Sequence, residues 1–346
     1  MTASPTADTA ATGRDPLAAL GNTRRAYVVE PYKVLYISTA KNACTSIKWL
    51  IAELAGDTDN LENAPMGLFP AVSREQIVHK RGLYQHTPTL GRLSKKVRSS
   101  IHPDNGWFVF SVVRDPRSRV FSAWQNKFLT HSPSPFYQRW NKEPWYPSLP
   151  ASNDDIIGAF AQFVDLIDKN PDHEVTHDAH FRTQEFILAR DSVPYSNIYE
   201  ISQMNTMLSE LTAHVRANGW TGPDLALRSV NDTPLKPYAA VFDGPVRAAV
   251  ERFYGPDFET FGHLWDFAKI ERAPEWDAKQ LAAIRQNTMV NDRFAELLGA
   301  VDRATTRAQR AEAASRPGPA IARAATLADR IKGRLKREIA ARRRPR

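Results

Sequence analysis

Residues 33–56 read KVLYISTAKNACTSIKWLIAELAG. Val34, Leu35, Tyr36 and Ile37 form a short, unbroken apolar run, the pattern of a strand buried on both faces. Ser38 to Cys44 is small, polar and carries Lys41. From Thr45 the pattern turns helical: Ile47, Leu50, Ile51 and Leu54 recur on one face, and Gly56 stands just past Ala55. A buried strand that passes through a tight turn into a helix N-terminus is an anion-binding device. The first-turn N–H groups have no partners inside the helix, and the helix dipole favours negative charge there. Lys41 adds a positive charge, and Thr45 and Ser46 add hydroxyl donors. The turn Lys41, Asn42, Ala43, Cys44, Thr45 and Ser46 therefore reads as a phosphate cradle.

A second turn of the same kind follows. Trp107–Val113 (WFVFSVV) reads as a strand and leads into Arg114-Asp115-Pro116, with Asp as N-cap and Pro as first helical residue. Val120, Trp124 and Phe128 then share a helical face. Two strand–turn–helix units predict an α/β domain with a central, mostly parallel sheet and a ligand beyond the carboxyl ends of its strands. Asn197–Ile201 is a third strand candidate, with Ser202 capping a helix that stops near Asn218-Gly219. Ser73 with Gln76 has the form of a capping box, Ser152 to Lys169 reads as helix, and Pro245–Tyr254 as a short helix. Residues 130–150 hold five prolines and five aromatics, too proline-rich for a regular element. Phe136, Tyr137, Trp140, Trp145 and Tyr146 make this stretch either a lid over an acceptor or a loop pinned to the core by its rings.

The chain has 346 residues and a net charge of +8, but the charge is unevenly placed. Residues 303–346 hold 14 Lys/Arg against three acids, which leaves about −3 for the rest. The one cysteine, Cys44, excludes an intrachain disulfide framework and fits a reducing compartment; no apolar run is long enough to span a bilayer. The reading is a loose leader over 1–25, a catalytic domain over 26–270, and a helical, basic C-terminal extension over 271–346. Residues 319–346 have the pattern of a basic amphipathic helix, which lies on an anionic membrane surface or docks on a partner, and equally fit a solvated or disordered basic end. A cytoplasmic protein, peripheral at the inner membrane face, is the expectation.

The cradle at 33–56 and the segment VRDPRSRVFSA at 113–123 together resemble the two cofactor motifs of sulfotransferases, most of all the branch of the Golgi carbohydrate sulfotransferases and their bacterial relatives. YGPDFETFG at 254–262 is similar to that family's closing segment, so the resemblance covers roughly residues 30–265. It implies a P-loop-like three-layer fold and 3′-phosphoadenosine-5′-phosphosulfate (PAPS) as sulfate donor. The family's lysine falls on Lys41 and its small hydroxyl residues on Thr45 and Ser46, at the 5′-phosphosulfate. The arginine and serine that grip the 3′-phosphate fall on Arg114 and Ser122. Ala40 stands where the family often has proline.

Sulfuryl transfer needs positioning, charge stabilisation on the leaving side and a base on the attacking side. Lys41 suits the leaving side. For the base, His86 in Leu83-Tyr84-Gln85-His86-Thr87 lies between the motifs, a place similar to that where the resemblance implies a catalytic histidine next to an aromatic in some family members, with His79 second. Asp115 reads as a structural cap and Arg119 as a residue that holds the turn. His173, His177 and His180 have helical spacing, but without the Glu of a zinc-protease motif they are a weak metal signal, and no metal is called. His180-Phe181-Arg182 instead matches a His-aromatic segment of the family. The expected acceptor is a hydroxyl of a carbohydrate or glycolipid, with no nucleic acid as partner. Two alternatives are a P-loop-type nucleotide kinase or NTPase, against which stands the lack of a G-x-x-x-x-G-K-[ST] run, and a non-catalytic membrane-surface protein acting through its basic tail.

Overall fold

The computed structural model describes residues 17–66, 72–228 and 234–315. Its centre is a four-stranded sheet in the order β1 (Ala26–Val29), β2 (Val34–Ile37), β3 (Phe108–Val113), β4 (Asn197–Glu200). β2, β3 and β4 run parallel, in register Val34↔Phe108 and Phe110↔Asn197. β1 is an antiparallel edge, with Ala26 opposite Ile37. The sheet is thus mostly parallel within a mixed α/β chain, as the two strand–turn–helix units predict. β1 was not legible as a strand, because four residues, AYVV, show no alternation to separate them from a loop.

The pleat sorts side chains onto two buried faces. Tyr27, Tyr36, Phe108, Phe110 and Tyr199 meet Ile47, Leu50 and Ile51 of α1 (Cys44–Ala55). Val28, Leu35, Ile37, Val109 and Val113 meet Leu17, Leu20, Leu90 and Phe261. Because both faces are covered, the strands read as continuous apolar runs. A third core is largely aromatic. It joins α2 (Pro116–Trp124) and α3 (Asn153–Lys169) through Phe121, Trp124, Phe160 and Phe163. Four further helices matter below: α4 (Gln184–Leu188), α5 (Met204–Ala217), α6 (Pro245–Phe253) and α7 (Gly255–Phe261). The last, α8, spans Ala278–Ser315.

Several sequence expectations need correction. Residues 17–25 are packed rather than loose: Leu17 and Leu20 are buried under the sheet, and Thr23–Arg25 forms a 3₁₀ turn. The helix after β4 is entered through Glu200, whose carboxylate accepts from the Ser202 N–H, so Ser202 is not its cap. The proline-rich stretch does hold a helix, Pro135–Trp140, started by proline at its first position. Its aromatics are pinned to the core: Trp145, Phe136 and Tyr146 pack around Phe128 at 5.1, 5.8 and 5.8 Å between ring centres. That arrangement favours the pinned loop over the lid. The boundary near 270 also moves, since Trp276 and Ile284 are core residues and the first compact unit ends at Asn291. The second unit begins at Asp292; its described part is helical and exposes Leu297 and Val301. Among the described residues, no helix is long and apolar enough to cross a membrane. The leader over 1–16 and the basic helix over 319–346 lie outside the described residues.

Candidate active site

The first turn leaves β2 at Ser38 and enters α1 at Cys44. Lys41 and Ala43 both sit in the left-handed region, at φ 68° and 53°. Side chains with a Cβ resist that conformation, so neighbours must hold the turn in place. They do so through one buried side chain. The amide of Asn42 donates to Thr39 Oγ1 at 2.7 Å, to the Val112 carbonyl at 3.0 Å and to Gln184 Oε1 at 2.7 Å. Thr39 Oγ1 donates to the same carbonyl at 2.6 Å. The Asn42 side chain therefore faces the sheet as a bracket, and what it leaves for an anion is the turn's backbone.

The second turn leaves β3 at Val113. Asp115 caps α2 by accepting from the Arg117 N–H at 2.9 Å, and it holds the Arg117 guanidinium through both its oxygens. Arg117 also reaches Glu251 at 3.0 Å. Asp115 is thus the structural cap that its place before proline suggests. Arg119 is wholly buried and donates to the carbonyls of Ala40, Arg182 and Ala179 at 3.1, 2.8 and 2.9 Å. It holds the turn through carbonyls rather than through an acid. Ser122 is buried on α2.

Gln184, at the start of α4, ties the two turns together. Its Oε1 accepts from the Asn42 amide and from the Arg114 N–H, and its Nε2 donates to the Arg114 carbonyl at 2.9 Å. Asp257 on α7 braces the arrangement by accepting from Gln184 Nε2 at 3.2 Å and from the Glu185 N–H at 2.8 Å. Tyr254 adds a bond to the Phe181 carbonyl at 2.8 Å. The closing segment at 254–262 thus has a physical task, which is to fix Gln184 beneath both turns.

Above this bracket the cations converge. Arg114 Nη1 reaches the Lys41 carbonyl at 3.4 Å, so both turns meet on one rim. Burial lowers the Lys41 ammonium to about 8, with Lys127 and Arg114 pushing the same way and Cys44 opposing. Burial also lowers Arg114, while Asp115 and Glu200 act against it. Lys127 comes from a single π-helical turn, Gln125–Leu129, that follows α2. Its ammonium is lowered by burial and supported by Asp178 and Cys44. Each shift records first a cation taken out of water; like charge adds to it at Lys41 and Arg114.

A cleft of about 900 Å³ adjoins the first turn, touching Ser38, Ala40 and Cys44. Arg24, Arg25, Lys48, Lys80, Arg81 and Arg92 line it, and none of the residues lining it is Asp or Glu. Lys41 and Arg114 are not part of this wall. His79 and His180 are. Lys48 has only donors, so its 2.9 Å contact with His79 Nδ1 makes that nitrogen the acceptor. The ring proton then sits on Nε2 and donates to Thr45 Oγ1 at 3.0 Å. Desolvation, then the charges of Lys48, His180, Lys127 and Lys41, hold His79 well below its ordinary value.

His86 is placed differently. It is exposed, its N–H donates to Asp57 Oδ1 at 3.0 Å, and it is not among the residues lining the cleft, whereas Tyr84 and Thr87 on either side are. The buried Asp57 also accepts from the Gln85 N–H and the Thr87 hydroxyl, so this stretch is fixed with the His86 ring outside. Of the two candidate bases, His79 and His86, the structure brings His79 to the cradle and leaves His86 apart. Of the other called residues, Thr45 and Ser46 are buried in the first turn of α1 and Cys44 heads that helix. Lys48, Lys127 and Gln184 escaped the sequence reading; Lys48 lies on the apolar side of a helix, a position that could have marked it. His173 is a cap for the Val175 N–H and packs on Trp140, apart from His180 in role.

The sulfotransferase family model matches residues 24–263. The chain belongs to the sulfotransferase family. This sulfotransferase-family chain is similar to carbohydrate sulfotransferase 10 of Danio rerio, 29% identical over 149 residues, covering 41% of this chain and 36% of the relative. Carbohydrate sulfotransferase 10 of Xenopus laevis is 31% identical over 126 residues, covering 35% and 29%. The human protein of that name is 30% identical over 126 residues, covering 35% and 29%. The chain therefore spans about a third of the length of the curated relatives it matches. No solved structure matches it.

Proposed function

We propose that this protein is a PAPS-dependent sulfotransferase that moves a sulfuryl group to a hydroxyl of a carbohydrate or glycolipid. One observation carries the reading: the Arg114 guanidinium lies against the backbone of Lys41, so two anion-binding turns share a rim. A donor with phosphate at both ends asks for two cation-bearing turns that meet. The β2–turn–α1 unit is read as P-loop-like on the same grounds, a buried strand feeding an anion-binding helix N-terminus. The carbohydrate acceptor follows the names of the relatives, and the cleft with its polar walls is the space offered to it.

The residues fit such a donor. Lys41, the N–H groups of residues 43–46 and the hydroxyls of Thr45 and Ser46 would hold the 5′ end. Arg114, with Ser122, would hold the 3′-phosphate through the planar fork of its guanidinium. When bound, the donor supplies an activated sulfuryl group. The chain's own part is electrostatic: Lys41 and the helix N-terminus face the oxygen on which charge builds as the leaving phosphate departs.

Calorimetric titration with 3′,5′-ADP tests the reading. Wild type is expected to bind, and Arg114→Ala to lose about 100-fold in affinity, the size of a lost charge-assisted pair (~3 kcal/mol). Equal affinity in both would remove Arg114 from the site, and no binding by a folded wild type would remove the donor.

A further inference from the structure

We infer that His180, held by Asp178, is the base that takes the proton of the acceptor hydroxyl. This rests on the sulfotransferase reading above and assigns a residue within that site. His180 Nδ1 stands 2.6 Å from Asp178 Oδ1, and the His180 backbone N–H donates to the same oxygen at 2.8 Å. Two donors on one oxygen favour the ionised carboxylate. An ionised carboxylate only accepts, so Nδ1 carries the ring proton and the lone pair is on Nε2. Nε2 has no hydrogen-bond partner among the described residues, and the side chain keeps 28% of its surface exposed. The ring lines the cleft. His79, by contrast, has both ring nitrogens engaged, by Lys48 and Thr45, and offers an acceptor no lone pair. His86 is not among the residues that line the cleft. Of these three histidines, His180 alone pairs an open lone pair with a place on that wall.

The anchoring explains why this histidine keeps its geometry. Arg119 grips the carbonyls of Ala179 and Arg182, and Tyr254 grips that of Phe181, so the residues on both sides of His180 are fixed to the same frame as the first turn. In the transfer, the acceptor oxygen forms its bond to sulfur and its proton passes to Nε2. The electron pair of the broken sulfur–oxygen bond stays on the 5′-phosphate oxygen, opposite Lys41. The imidazolium that results is paired with Asp178 and returns its proton to solvent. Asp178 is a positioning residue in this scheme, since it acts through His180.

The groups facing His180 are Asp178, Lys127, Lys41 and the neighbouring His79. Burial and the Lys127 charge push the ring down to about 3, Asp178 opposes, and Lys41 adds to the fall. Lys41 lies where the donor's 5′ end is read to bind, and Lys127 stands close enough to Lys41 to lower it. Filling that site sets anionic charge beside these cations and offsets their repulsion of the ring, so the base gains proton affinity when the donor site fills. This ties proton acceptance to a loaded site.

The test uses full-length protein labelled with ¹⁵N-histidine, with His180→Gln identifying the signals. The free protein is expected to show His180 with its proton on Nδ1, and saturating 3′,5′-ADP to raise its pKa by at least one unit. A proton on Nε2, or no movement on saturation, overturns the proposal. In parallel, release of 3′,5′-ADP from PAPS is followed with a panel of oligosaccharides. His180→Gln is expected to lose at least 100-fold in kcat while binding 3′,5′-ADP within threefold of wild type. Turnover within fivefold of wild type overturns the assignment. Asp178→Asn should lower kcat and shift the acidic limb of the pH profile without changing 3′,5′-ADP affinity. If wild type binds no 3′,5′-ADP, the donor reading fails, a result distinct from failure of the His180 assignment.

Discussion

The turn after β2 and the turn after β3 each end a parallel strand with a cation and start a helix, yet they are built from opposite ends of the sequence–structure relation. The second makes itself. Asp115 caps, Pro116 sets the first helical φ, and Arg117 closes on Asp115 two residues away. The first is imposed. Its left-handed Lys41 and Ala43 have no local reason for that shape, and the bonds that hold it come from Val112, Gln184 and Arg119, roughly 70 to 140 positions along the chain. A locally encoded turn survives the loss of distant partners. An imposed turn fails with them, and its strain is available to hold backbone N–H groups in an arrangement that no relaxed loop would keep.

Removing Gln184 should break that comparison most sharply. Gln184→Ala strips partners from the Asn42 amide and Asp257, which are buried, and from the partly buried Arg114 N–H and carbonyl. A loss of about 3–4 kcal/mol in urea unfolding is expected, from several unsatisfied buried groups at roughly 1–3 kcal/mol each. Weaker 3′,5′-ADP binding should accompany it even where the protein is folded. Asp115→Ala strikes the second turn. It removes a cap and one of the two partners of a buried guanidinium, with Glu251 left in place, so about 2–3 kcal/mol is expected. If both variants leave 3′,5′-ADP affinity unchanged, the idea that these turns hold the donor loses its support.

The third test is smaller and has two signs. Lys41 is lowered to about 8, so its charge is lost as pH rises through that value. Affinity for 3′,5′-ADP should fall about tenfold between pH 7 and pH 9, with proton uptake on binding visible as a dependence of the calorimetric enthalpy on buffer. Lys41→Arg, which stays charged, should bind with a flat profile. Stability moves the other way. Between about 8 and the ordinary lysine value of roughly 10.4, the unfolded chain binds more protons at this residue than the folded chain does, so this group makes stability rise with pH. Affinity and stability that changed in the same direction across this window would place the titration elsewhere.

How much of this was legible follows the same division. β2, α1, β3 and the cap at Asp115 were readable because their causes are local: unbroken apolar runs, helical spacing, and Asp before Pro. Asn197–Glu200 was readable for the same reason. Arg114 and Lys41 were readable as cations at the mouths of two turns. Gln184 was not, since a glutamine within AHFRTQEF at 179–186 has nothing local to distinguish it, and its role exists only once α4 lies under both turns. The choice between His79 and His86 was equally hidden. It depends on Asp57 fixing residues 85–87 and on Lys48 reaching across one helical turn beyond Thr45, both matters of packing. Leu17 and Leu20 were hidden by a leader whose composition resembles a loose arm, although those two leucines fill the far side of the sheet.

The least disruptive test of the imposed turn is Ala43→Gly. Ala43 is the residue before α1, at φ 53° and ψ 20°, and it makes no side-chain cap bond. Glycine takes that conformation without the Cβ conflict, worth roughly 1–2 kcal/mol, but it also raises the entropy of the unfolded chain by several tenths of a kcal/mol. The first effect is the larger, so the variant should be more stable by about 0.5–1 kcal/mol, measured as a higher urea midpoint at unchanged slope. The counterpart at the second turn, Pro116→Gly, gives up a pre-set φ and should lose stability by a similar amount. Opposite signs for one substitution type at two turns of the same outward form would separate a turn held by its neighbours from a turn that holds itself. Equal signs would mean that the left-handed geometry at Ala43 is not a strained state, and that the backbone there needs no bracket from Asn42 and Gln184.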